Sequence, residues 1–266
     1  LFLSRLVYWY GRPDSFTSLA QALLSSSTEN FALAGVFVGC ALSALLVGGL
    51  ESCRKLLDSM CVAACSSLAL GRLGCFFTES NRGQVMTKLT SLPWAYPVTN
   101  ASGYTEYRFA TFLFQAAFAA LLGIFLAVIF FRKRYREGGI TILFVLFYSA
   151  SQIILDSTRY DSLFFRSNGF VSIVQVLGAL AVGLAAIAFS VRLVKRQGFK
   201  GWYFALWLGF AALMGLGGYM EYYLQRHGDM MLICYIVMGT ALMALVALVL
   251  TIRRLAEKET RVSVRE

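Results

Sequence analysis

Long apolar runs alternate with short segments dense in Lys and Arg along most of this chain. Runs of about the twenty residues that a bilayer requires occupy 31–50, 57–77, 109–131, 140–157, 170–191, 202–220 and 230–252, and a partial run covers 1–10. A backbone in lipid must bond internally, so each run is expected to be a helix. The expected fold is all-α, a polytopic transmembrane helical bundle of about seven spans plus a partial first span, with an outward-facing polar cavity. Run 57–77 is the weakest, because Asp58 and Arg72 interrupt it. The opening "LFLSRLVYWY" is apolar from its first residue, so a segment is expected to precede it.

The polar connections predict an orientation. Dense basic clusters fall on every second one, at "ESCRKLL" (51–57), "RKRYREG" (132–138), "RLVKRQGFK" (192–200) and "RRLAEKETR" (253–261). The positive-inside rule places these four in the cytoplasm. Segments 11–30, 78–108, 158–169 and 221–229 then face outward. In the longest of them, Trp94, Tyr96, Tyr104 and Tyr107 are suited to a headgroup-level aromatic belt.

One apolar run carries a polar stripe. In "GITILFVLFYSASQIILDSTRYDS" (139–162), Tyr148, Gln152, Asp156 and Arg159 are spaced four, four and three residues apart, which puts them on one helical face. Such a stripe faces a cavity or a partner, since lipid would leave it unsatisfied. The simpler reading is an Asp156–Arg159 pair at i,i+3. Arg72, Asn81 and Arg82 are expected at the same outer level as Arg159. Guanidinium groups converging there match phosphate oxygens, so a phospholipid headgroup is the expected ligand. Gly71, Gly74 and Gly83 would let the backbone approach it.

Composition agrees with these spans. The 266 residues are 58% hydrophobic and 14% charged, which fits a membrane protein and not a soluble domain. A formal charge of +10 would suggest nucleic acid in a soluble chain. Here it divides among the connections, so membrane and not nucleic acid is the expected partner. The single histidine, His227, rules out a multi-His metal site, and no metal or cofactor is expected. His227 itself reads as a solvated residue. Cys61 and Cys65, a turn apart, read as small buried hydrophobes.

Six stretches resemble the bacterial phosphatidylglycerol–prolipoprotein diacylglyceryl transferases. "GRLGCFFTESNRGQ" (71–84) is similar to the family's Gly-Arg-Leu/Ile-Gly-Asn/Cys-Phe signature with its later glycine. "SRLVYWY" (4–10), "LLD" (56–58), "ATFLFQA" (110–116), "YSASQIILDSTRYD" (148–161) and "VSIVQVLG" (171–178) resemble further motifs in the family's order. The resemblance covers about residues 1–191. It implies a domain at 1–191; the two additional transmembrane helices expected over 192–252 have no counterpart in the family, and a basic cytoplasmic tail is expected at 253–266. It further implies a multi-pass protein of the bacterial cytoplasmic (inner) membrane with its site toward the outer side. The implied reaction moves the diacylglyceryl group of phosphatidylglycerol onto the lipobox cysteine thiol of a prolipoprotein signal peptide and releases glycerol-1-phosphate.

The resemblance also assigns residues: Arg72, Gly83, Tyr148, Arg159 and Gln175 match family positions, and Cys75 stands in place of an asparagine. Together with the polar residues read above, Arg72, Tyr148, Asp156 and Arg159 are the expected catalytic set. Gly74, Cys75, Asn81, Gly83, Gln152 and Gln175 are the expected substrate-binding set. Ala34 stands at the family's histidine, Gln152 at its second arginine, Asp156 at its glutamate and Phe114-Gln115 at a Tyr-Glu pair. These departures leave an alternative, a catalytically inactive relative that binds lipid or lipoprotein.

Overall fold

The computed structural model describes residues 1–24, 31–78, 80–86, 91, 93–100, 102–133, 135–164, 171–227 and 230–258. Parts of the expected outward segments 11–30 and 158–169, at 25–30 and 165–169, and the tail beyond Lys258 lie outside the described residues. The apolar runs form helices, as a backbone without water requires. Two short helices, α1 (Phe2–Gly11) and α2 (Leu19–Leu24), precede α3 (Leu33–Gly74). Then follow α4 (Thr111–Phe131), α5 (Gly139–Ser157), α6 (Ile173–Gln197), α7 (Tyr203–His227) and α8 (Met231–Lys258). Among the described residues, six helices are long and apolar enough to cross a membrane, the first being Glu51–Phe77. The run expected at 31–50 forms the shorter helix Leu33–Gly49.

Three expected connections are not loops. Segment 51–57 is helical, because α3 is two helices joined without a loop at Gly49, whose φ of 59° and ψ of −171° only glycine adopts at little cost. Segment 221–229 is helical through His227, and 253–258 continues α8. The long outer segment holds a β-hairpin, β1 (Ala95–Thr99) antiparallel to β2 (Thr105–Phe109), with Thr99 opposite Thr105. Its turn is built by Asn100, whose Oδ1 accepts N–H bonds from Ser102 and Tyr104 at 3.0 Å each, and by Gly103 at φ 82°.

The chain forms two compact units. The first comprises residues 1–144 and 155–175. In it α1 crosses the start of α3 so closely that a Cβ on Gly35 would lie 2.3 Å from the Leu3 carbonyl oxygen, and Ser4 Oγ donates to the Ala32 carbonyl at 2.8 Å. Helices α3 and α4 meet where Gly123 faces Cys65. Asp58, which interrupts its apolar run, is buried and accepts from Gly138 N–H, Thr141 N–H and Thr141 Oγ1 at 2.7–2.8 Å. It thereby caps α5 from a neighbouring helix. The Lys55–Glu137 ion pair (3.1 Å) lies beside it.

The second unit comprises residues 145–154 and 176–266. Helices α7 and α8 are joined by a short connection and pack along each other. Leu146, Val182, Leu193, Leu245, Val246, Val249 and Ile252 form its buried interior. Gly178 lets α6 approach Ser149 of α5.

Candidate functional site

The end of α3 opposite its basic limb carries the polar residues. Arg72 lies in the last turn of α3, where the unpaired carbonyls of a helix C-terminus favour a cation. It is half-buried, and its side chain has no hydrogen bond or ion pair to another described residue. A Cβ on Gly71 or Gly74 would meet nothing within 4 Å, so the face beside Arg72 is open.

Gly83 differs from these two. A Cβ there would lie 2.6 Å from both the Cβ and the carbonyl oxygen of Phe109, so glycine is required by packing and not by a ligand. It sits in an extended segment that pairs on both sides. Gly83 N–H donates to Phe109 O (2.7 Å), Gln84 N–H to Thr158 O (3.0 Å), and Tyr160 N–H to Arg82 O (3.0 Å). This ladder fixes Arg159 opposite Gly83.

Arg159 is held by two carboxylates. Its Nη1 donates to Asp156 Oδ1 at 2.8 Å, and its Nε to Asp161 Oδ1 at 3.0 Å. The simpler i,i+3 pair is therefore present, with Asp161 added to it. Burial opposes charge on Asp161, but Arg159 and the Asn81 N–H outweigh it and hold its pKa below the usual carboxylate value. Asp156 is buried, and its Oδ2 has no hydrogen-bond partner among the described residues.

Asn81 links this cluster to the signature turn. Its backbone is left-handed (φ 56°), its N–H donates to Asp161 Oδ2 (3.0 Å), and its Nδ2 donates to Cys75 Sγ (3.2 Å). Arg82 is buried in an aromatic cage, 3.9 Å from the Tyr96 ring centroid and 4.7 Å from that of Phe112. Tyr96 thus turns inward from the expected aromatic belt, while Trp94, Tyr104 and Tyr107 stay exposed. Asp161 and the cage around Arg82 escape sequence reasoning. Asp161 is signalled only by its place two residues after Arg159, and the cage has no signal, since three separate segments build it.

The remaining expected residues are carried by other turns and elements. Tyr148 and Gln152 sit two turns and one turn before Asp156 on α5, buried and within the second unit. Gln175 and Ser172 form a reciprocal cap on α6: Gln175 Oε1 accepts Ser172 N–H (2.9 Å), and Ser172 Oγ accepts Gln175 N–H (3.2 Å). His227 is exposed and stacked on Tyr223 at 4.6 Å between centroids, in the second unit. No group of three potential metal ligands occurs among the described residues.

A helical membrane protein with an arginine–carboxylate cluster and a glycine-flanked arginine at a helix end is the class these features define. The chain belongs to the prolipoprotein diacylglyceryl transferase family, whose profile matches residues 4–191. Similar curated proteins are phosphatidylglycerol–prolipoprotein diacylglyceryl transferases. That of Acaryochloris marina is 28% identical over 175 residues, covering 62% of this chain and 61% of the relative. That of Thermotoga maritima is 32% identical over 128 residues (46% and 41%), and one from Streptococcus pneumoniae is 33% identical over 141 (49% and 51%). The chain thus spans roughly half the length of these relatives. No solved structure matches it.

Proposed function

We propose that this chain transfers the diacylglyceryl group of phosphatidylglycerol to the lipobox cysteine of a prolipoprotein at the outer face of the bacterial cytoplasmic membrane. The observation that carries the reading is the family signature folded as a half-buried Arg72, whose side chain is unpaired among the described residues, beside two glycines with an open face. Orientation is supported by the Lys55–Glu137 contact, which joins two of the basic segments near the Gly49 break, at the start of the α3 limb whose far end carries Arg72.

In this reading the cysteine sulfur attacks the glyceryl carbon bonded to the phosphate oxygen. A carbon–sulfur bond forms, that carbon–oxygen bond breaks, and glycerol-1-phosphate leaves with the electron pair. Arg72 stabilises the charge gathering on the leaving phosphate. The unpartnered Oδ2 of Asp156 takes the thiol proton, and Arg159 holds that carboxylate in place. The pairing of Arg159 with two acids favours a second reading, a relative that binds lipid without transfer, because it leaves one fewer cation free for phosphate.

The test is a lipobox peptide incubated with the purified chain and phosphatidylglycerol. The expected result is a peptide mass gain of one diacylglyceryl group, loss of the free thiol and equimolar glycerol phosphate. A folded protein that gives no product above background would select the second reading.

A further inference from the structure

Arg82 has a buried guanidinium with most of its donors unused. The side chain is 5% exposed. Its Nη2 donates to Thr78 O at 2.5 Å and approaches Phe76 O at 3.4 Å. Tyr96 and Phe112 cover its faces, and Phe76 packs against both rings, with centroids 5.5 Å and 6.3 Å away. Nε, with one N–H, and Nη1, with two, are buried and have no hydrogen-bond partner among the described residues. No carboxylate among the described residues forms an ion pair with Arg82.

A buried cation is stable when its donors are paired, and native proteins seldom leave such groups empty. The cage answers only part of this need, since ring faces attract the charge but accept no N–H bond in the guanidinium plane. The neighbouring Asn81 presents the complementary defect. Its Nδ2 donates to Cys75, and its Oδ1 is buried without a donor among the described residues. Both residues are anchored to the same turn, Cys75–Thr78. That turn also exposes Phe76 and Phe77, and Leu73 stands exposed just before it. Unused cationic donors, an unused acceptor and an apolar rim describe a ligand with anionic oxygens, a hydroxyl and acyl chains.

We infer that Arg82 and Asn81 select the lipid headgroup. Arg82 binds a phosphodiester oxygen, Asn81 Oδ1 accepts from a headgroup hydroxyl, and the exposed apolar side chains meet the acyl chains. The inference rests on the reading above that the chain takes an anionic glycerophospholipid, and it assigns the second cation beside Arg72 to Arg82 and not to Arg159. Arg159 is committed to Asp156 and Asp161 and acts as a positioning residue.

The experiment measures lipid retention by native mass spectrometry on the full chain. The lipids are phosphatidylglycerol, phosphatidylethanol (anionic but without the glycerol hydroxyls) and phosphatidylcholine. Inorganic phosphate and glycerol phosphate serve as soluble competitors. Wild type is expected to prefer phosphatidylglycerol over phosphatidylcholine by tenfold or more, with phosphatidylethanol between them. Arg82→Gln should lose the preference for both anionic lipids, and Arg82→Lys, which keeps the charge, should recover part of it. The Lys variant and the wild-type order of the three lipids keep the test decisive if Arg82→Gln does not fold. Undiminished preference in a folded Arg82→Gln, no gain of Lys over Gln, or equal retention of phosphatidylglycerol and phosphatidylethanol would overturn the inference. Displacement of the lipid by equal concentrations of inorganic phosphate would assign the site to free phosphate instead. No preference in wild type would overturn the functional reading itself.

Discussion

Three arginines near one another in sequence or pairing stand in three environments. Arg72 is half-buried beside open glycines, Arg82 is caged by rings, and Arg159 is tied to two carboxylates. The Arg159–Asp156 contact was legible in the sequence, because residues three apart share a helical face. The Asp161 contact was not, because it needs the chain to turn back after α5. Asp161 also gives a pH dependence. Its carboxyl pKa is lowered in the folded state, so its stabilising effect is present above the ordinary carboxylate value of about 3.9 and is lost as pH falls through the lower folded value. Asp161→Asn should therefore lower the unfolding midpoint near neutral pH, and the gap to wild type should close on acidification below about pH 4. Midpoints measured across that range check the sign, and a gap that widens in acid would refute the pairing.

Helix ends, not helix interiors, separate the expected from the observed elements. Apolar length gave α4 and α5 to within a residue or two, as no loop can lie in lipid. The break in α3 was not legible as a break within a helix, since one glycine does the work expected of the seven-residue connection 51–57. The hairpin was hidden because each strand has only five residues, and its register depends on Asn100 and Gly103. Asp58 was read as a flaw in an apolar run, yet it is the cap of α5. Asp58→Ala would strand two N–H groups and the Thr141 hydroxyl, and should destabilise the first unit by about 2 kcal/mol or more. Thermal unfolding in detergent checks this, and an unchanged midpoint would show the cap to be dispensable.

At the scale of the whole molecule, the alternation of basic and apolar segments carried the fold class, because charge and chain length obey the bilayer and not tertiary detail. The site was less legible. Arg72 and Arg159 could be named, but only the folded chain shows that Arg159 is neutralised, that Gly83 serves packing and that Arg82 retains unused donors. Arg72 is proposed to support transfer to a thiol. The direct measurement is the initial rate of diacylglyceryl transfer from phosphatidylglycerol to a lipobox peptide, for wild type and Arg72→Ala at matched monodispersity. Wild type should transfer, and Arg72→Ala should be slower by about a hundredfold or more, as expected when a group stabilising developing charge is removed. Equal rates for the two proteins, or no transfer by wild type, would contradict it.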